Sequence, residues 1–509
     1  MKMLHTMLRF APVALMAGMV PALPAAAQQS DRPMPPAFLR AMEPMVERPE
    51  PSAHVITTGH RGRFANRPVA YDAIVTETPV ANAAGEVAAV VVTYAYVAKN
   101  AGDPGTRPVL FFFNGGPGAS SSPLHMQAFG PRVVRDGDAG ATLVNNPHSL
   151  LDTADLVFID PPGTGASMPV AGVDASSLFS VDGDAAAVAQ VVQQWRVDNG
   201  RTGSPFALVG ESYGTARAAA MLHSAAEAEL PLPDGVALLS MSLGDTAAPV
   251  ISDMAMLPTL AAVNWYHHPS RRDGQSVVDR YNSALDFAQG EYAKALIRWQ
   301  VMDAPARAAV AERMARLIGI PAAKLLASDL RIDKTTFMLS LLADRGLRTG
   351  QLDARVTRPI ADSNFQPPFD DPSMTLGTST SATLESYLAE ELEYRLPSAY
   401  RSLNLGINFK WDWGENESYR SRRFAPLIAE ALERRPDMAI FTAGGLYDIT
   451  TPTYAGIFAL DHAGIARDRR TTRLYAAGHS VFEDEGELAR MSADLREWAH
   501  TLGRSGDAR

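Results

Sequence analysis

The sequence runs to 509 residues, carries a formal charge of −10 at pH 7 and contains no cysteine. The acidic balance argues against a nucleic-acid or anionic-membrane partner, since those need a basic face. The missing thiols exclude disulfides, thiolate metal sites and a lipidated N-terminal cysteine.

Residues 1–27 read as an export signal: Lys2 and Arg9, then the apolar stretch "APVALMAGMV", then a small-residue cleavage site, Ala25-Ala26-Ala27, before Gln28. A periplasmic or secreted protein is expected. Without disulfides it relies on packing, which a chain of this size permits. No later segment has about 20 uninterrupted apolar residues, so no membrane span is expected after signal removal.

Residues 28–53, rich in Pro, Ala and Arg, read as a loose leader. A first core segment is expected over 54–245. "PVAYDAIVTETPV" alternates and "EVAAVVVTYAYV" is β-branched, giving two strands. Short apolar runs then alternate with helical patterns. "RPVLFFFNG", "TADLVFIDPPG", "SPFALVG" and "GVALLSMSLGD" are strands. "DAAAVAQVVQQWRVDNG", closing at Asn199-Gly200, and "YGTARAAAMLHSAAEAE" are helices. This rhythm predicts an α/β fold with a mostly parallel sheet and helices on both faces. Over 246–405 it stops. Helical stretches and one Pro/Asp/Ser-rich loop predict a helical lid inserted into the core, with no sheet pattern. It resumes over 406–509 with "RFAPLIAEALERRPDMAIFTAGGLYD", "TTRLYAAGHS" and a last helix.

Gly210-Glu211-Ser212-Tyr213-Gly214 is a G-x-S-x-G motif between a predicted strand and a predicted helix, and that context gives the motif its weight. Glycines permit a turn sharp enough to expose the serine above the sheet. The helix start aims backbone N–H groups at whatever reacts there. A serine needs a base. His479 follows a short strand, "TRLYAAGH", and precedes a helix. His125 and His148, in loops after "FFFNGG", are second choices. Asp448, after the strand "MAIFTAGG", is placed to hold an imidazole, at a carboxyl end where open sheets put their sites. The order Ser212, Asp448, His479 is that of an α/β-hydrolase. One oxyanion donor is expected from Tyr213 N–H and another from the loop "FFFNGGPGASSS", where Gly115 and Gly116 let backbone approach closely. That loop lacks the Lys-Ser/Thr of a phosphate-binding loop. No metal or other cofactor is called for. Trp265, Trp411, Trp413, Phe365 and Phe369 are candidates for apolar pockets or for ordinary packing.

"NGGPGASS", "DPPGTGAS", "GESYG", "GLYD" and "AAGH", in this order, resemble the serine carboxypeptidase family (peptidase family S10). The resemblance covers roughly 105–245 and 410–500. It implies an α/β-hydrolase fold with a helical insertion, and release of C-terminal residues from peptides. It implies Ser212 as nucleophile, His479 as general base and acid, and Asp448 as orienting acid. It implies the N–H groups of Gly116 and Tyr213 as oxyanion hole, and Asn114, Gly115 N–H and Glu211 as binders of the substrate carboxylate. Two facing carboxylates repel unless one holds a proton, so Glu211 is expected to bind in its protonated form. The chain departs from the family at Phe112, where Trp is usual, and at Ala119, where Cys is usual. Ala128, beside Gln127, replaces a second acidic residue, and "GHS" lacks the apolar residue and Pro that usually follow the His. An esterase or acyltransferase on the same scaffold is the alternative, and a binding protein without chemistry a further one.

Overall fold

The computed structural model describes residues 36–137, 140–363, 371–374, 378–415 and 417–503. The expected signal at 1–27 lies outside them, as do Phe365 and Phe369. Nine strands form the main path of one sheet: β1 (Val55–Phe64), β2 (Arg67–Ala81), β3 (Val87–Ala98), β4 (Val109–Phe113), β5 (Asp155–Asp160), β6 (Phe206–Glu211), β7 (Gly235–Leu239), β8 (Ala439–Gly445) and β9 (Arg470–Tyr475). Their order across the sheet is β1-β2-β3-β5-β4-β6-β7-β8-β9, with a tenth short strand, Met168–Pro169, against β3. β1, β2, β3 and β5 pair antiparallel in succession. Every pairing from β5 through β4 to β9 is parallel.

The central strands are buried on both faces, which explains their unbroken apolar sequences. In β4, alternate side chains divide between two cores. Leu110 and Phe112 join Phe129 and Phe158 on one face, with Leu495 and Trp498 of a last helix in the same core. Phe111 and Phe113 join Trp195 and Leu222 on the other. Burying each such phenyl ring stabilises the fold by about 1.5–3 kcal/mol. Helices α1 (Val181–Asp198) and α2 (Tyr213–Glu227) cover that second face. Ser180 caps α1, accepting from Gly183 N, and Asn199 ends it, as its sequence predicts.

Between β7 and β8 the chain is mainly helical, from α3 (Pro249–His267) past α4 (Lys334–Ser340) to a short helix at Leu405–Phe409. It has a core of its own, including Leu260, Tyr281, Phe287 and Met314. Leu446, Tyr447 and Ile449, from the loop after β8, join that core. The chain closes with α5 (Ala425–Arg434), α6 (Thr453–His462) and α7 (Glu485–Ala499).

Three features differ from the sequence reading. The helical stretch contains an antiparallel ribbon, Leu347–Thr349 against Thr357–Pro359, whose three-residue strands are too short to show alternation. β1 was not visible because it is an edge strand with most side chains exposed or half-buried. Within the stretch expected as leader, 36–42 is helical, and Arg48 is buried against Glu77 and forms a bridge to Val170.

Candidate active site

The strand-to-helix turn after β6 is as tight as its sequence demands. Ser212 has φ 57° and ψ −128°, a conformation that costs a non-glycine residue about 1–3 kcal/mol. A Cβ at Gly210 would stand 2.2 Å from Gly214 O, and one at Gly214 would stand 2.6 Å from Phe113 O. Only hydrogen fits at either position. The loop after β4 presses against the same turn, where a Cβ at Gly115 would lie 2.3 Å from Tyr213 N. Among the described residues, neither Tyr213 N nor Gly116 N donates to a protein acceptor. Both residues line a cavity of about 440 Å³ together with Ser212 and Thr451. Two free amides beside a strained hydroxyl can receive a developing negative charge.

Arg217, on α2, fixes this arrangement. It is fully buried. Its Nε donates to Asp184 Oδ2 at 2.6 Å, and an Nη donates to the carbonyl of Asn114. One guanidinium therefore ties α2, which follows Ser212, to α1 and the glycine loop.

Asp448 and His479 meet from two later strand ends. His479 Nδ1 lies 2.7 Å from Asp448 Oδ2. Asp448 is fully buried and also accepts from Thr450 N at 2.8 Å, Thr451 N at 3.0 Å and Thr451 Oγ1 at 2.5 Å. Burial alone would raise its pKa, but the charge of His479 and the hydrogen bonds from His479 and Thr451 hold it below the usual carboxylate range. Burial alone would lower the His479 pKa. The adjacent charge and hydrogen bond of Asp448, helped by Glu211 and Glu483, instead raise it to about 9.

The two loops are strapped by the helical stretch. Gln351 O accepts from Ile449 N and Thr450 N, Leu352 O accepts from His479 N at 2.7 Å, and Ala354 N donates to Tyr447 O. Next to the imidazole, Ser480 Oγ donates to Glu211 Oε1 at 3.2 Å, which joins the His479 loop to the residue before Ser212. Glu211 also accepts from Asn114 Nδ2. Its burial raises its pKa, and Asp448 adds to this, against the opposing effects of His479, Ser480 and Asn114.

Asn114, Gly115, Gly116, Glu211, Ser212 and Tyr213 thus cluster at the carboxyl ends of β4 and β6, and Asp448 and His479 reach the same edge. The second-choice bases lie elsewhere. His125 is buried in a stack with Tyr94 and Phe158, bonded to Tyr96 OH, and its pKa is pushed down to about 3 by burial. His148 faces Glu485 at 3.9 Å. Sequence reading missed Arg217, Asp184, Thr451 and the strap. Of these, only Thr451 left a sequence signal, the Asp-x-x-Thr spacing of a self-capped loop.

A mainly parallel sheet carrying a strained serine at a strand-to-helix turn defines an α/β-hydrolase fold. Against the solved structure of the prohormone-processing carboxypeptidase Kex1(Δ)p from Saccharomyces cerevisiae, the TM-score is 0.53 at 14% identity, covering 84% of this chain and 91% of that one. Residues 87–277 match the model of the serine carboxypeptidase family. Serine carboxypeptidase-like 9 of Arabidopsis thaliana is 26% identical over 133 residues, which is 25% of this chain and 30% of that protein. Serine carboxypeptidase-like 36 of the same plant is 40% identical over 76 residues, 14% of this chain and 15% of that one. The chain therefore spans less than a third of the length of either relative. The family match contains Ser212 and the glycine loop; Asp448 and His479 lie outside it and are brought to it by the fold.

Proposed function

We propose that this protein is a serine carboxypeptidase that releases C-terminal residues from peptides. The observation that carries the reading is the buried Asp448–His479 pair reaching the sheet edge where strained Ser212 shares a cavity with the free amides of Gly116 and Tyr213. Ser212 Oγ attacks the last peptide carbonyl and its proton passes to His479 Nε2. Asp448 keeps the Nδ1 proton in place and stabilises the imidazolium. The Gly116 and Tyr213 amides receive the oxyanion. His479 then protonates the departing amine, and water resolves the acyl-enzyme by the same steps. Glu211, whose pKa burial raises, donates from its protonated form a hydrogen bond to the substrate's terminal carboxylate, with Asn114 and Gly115 N–H beside it. The helical stretch between β7 and β8 acts as a lid over the cleft. Residues 1–27 direct export to the periplasm or medium. None of the described helices is long and apolar enough to cross a membrane.

The test is hydrolysis of N-blocked dipeptides bearing a free-acid or an amide terminus, across pH 4 to 8, with Ser212→Ala as control. The free acid is expected to be cleaved in preference, and the control to be inactive. Equal cleavage of acid and amide would refute the exopeptidase reading.

One observation favours a second reading, an esterase or acyltransferase on the same scaffold. Ala128 is fully buried where the family resemblance calls for an acidic side chain, and Asn114 spends its amide on Glu211 and Leu124 N. The grip on a terminal carboxylate is thinner than the family pattern. Activity on esters without activity on blocked dipeptides would select this reading.

A further inference from the structure

The cavity that holds Ser212 has a cationic wall that the proposed mechanism does not use. Lys334, the first residue of α4, and Arg420, in the loop before α5, line it together. Both also line a second cavity of about 400 Å³, so the two spaces meet at these side chains.

Among the described residues, neither side chain has a carboxylate partner. Among the described residues, Lys334 Nζ donates only to the carbonyl of Thr450, at 2.9 Å, and no carboxylate lies within ion-pairing distance. Arg420 has no side-chain hydrogen bond or ion pair among them, whereas Arg217, Arg355, Arg422 and Arg435 each have a carboxylate partner. The acids whose charge acts on Lys334 are engaged elsewhere. Asp448 is held by His479 and Thr451, and Asp371 accepts from Gln351 N, Leu352 N and Ser373. Burial, with Arg420 adding to it, lowers the Lys334 pKa to about 8, although Asp448 pulls the other way. A half-buried ammonium without a counter-ion costs free energy that an incoming anion would offset.

We propose that Lys334 and Arg420 form an anion-recognition wall of the substrate cleft, which accepts a carboxylate of the peptide. This site is distinct from the Asn114–Glu211 pair, neither member of which lines the cavity. The inference rests on the proposed peptidase reading. The carboxylate has two possible sources: an acidic side chain flanking the cleaved bond, or the chain terminus itself.

The experiment compares kcat/KM for N-blocked dipeptides that differ only as Glu against Gln on either side of the bond, and as free acid against amide at the terminus. The wild type, Lys334→Met, Arg420→Gln and the double variant are assayed at pH 7 and low ionic strength. Labelling of Ser212 by a neutral fluorophosphonate is measured in each. A preference for Glu of about 10-fold is expected in the wild type, falling to within about two-fold in the double variant with labelling intact. If the loss falls instead on the acid-over-amide ratio, the wall holds the terminal carboxylate. If neither ratio moves beyond about two-fold while labelling persists, the wall is refuted and the peptidase reading stands. Loss of labelling in the wild type refutes both. Should the double variant fail to fold, the single variant Arg420→Gln, which alters an exposed side chain, decides between the same outcomes.

Discussion

Replacing Arg217 by Met separates stability from positioning. The side chain is fully buried, bonds Asp184 at 2.6 Å, bonds the Asn114 carbonyl, and lies 5.1 Å from the Tyr213 ring centroid and 5.6 Å from that of Phe113. Removing it strands Asp184, which is 1% exposed and whose pKa burial already raises against the pull of Arg217. Breaking a buried pair in this way costs about 3–5 kcal/mol. Substituting both partners, as Arg217→Met with Asp184→Leu, removes the orphaned charge and should return stability to within about 1 kcal/mol of the parent. Activity should not return with it, because the Asn114 carbonyl still lacks its donor and the glycine loop is free to shift. A displacement of about 1 Å at such a site lowers rate by roughly 100-fold. Urea unfolding and kcat/KM on a blocked dipeptide measure the two effects. Full recovery of kcat/KM in the double variant would refute the positioning role, and a single variant within about 1 kcal/mol of wild type would refute the structural one.

Three further outcomes are expected. Because the folded-state pKa of Glu211 is raised, the stability tied to its proton is full below the ordinary carboxyl range and is lost as pH rises through the raised value. KM for a free-acid peptide should rise over the same window, and Glu211→Gln should flatten both curves, read by thermal denaturation and initial rates. Asp448→Asn removes the main charge holding a proton on His479, so the acid limb of the kcat/KM profile should move to lower pH while the maximum falls about 10⁴-fold; an unmoved limb counts against the pair. Gly210→Ala places a methyl 2.2 Å from Gly214 O and should destabilise by at least about 1–3 kcal/mol in urea, with loss of Ser212 labelling.

The sheet was legible because its central strands are buried on both faces and so spell continuous apolar runs, as in "VLFFF". Ser212 was legible because two glycines flank it at a strand-to-helix change, and the glycine loop because closely approaching backbones tolerate no side chain. Asp448 and His479 could be found as polar residues just past apolar strands. The Arg217–Asp184 pair could not. Its members lie 33 residues apart and Arg217 reaches Asn114 across 103, and nothing local distinguishes a buried arginine from an exposed one. The strap at Gln351–Ala354 acts largely through backbone groups, which every sequence supplies alike. Lys334 and Arg420 sit in polar surroundings where a solvated charge is the ordinary reading.

That strap bears on how such a protein can be remodelled. Because carbonyls of Gln351 and Leu352 hold both the loop after Asp448 and the loop at His479, the helical stretch is wired into the placement of both side chains and is not a detachable cover. Grafting a foreign insertion between β7 and β8 to change substrate preference would have to reproduce those few peptide groups, or the recipient would keep its sheet and lose its chemistry.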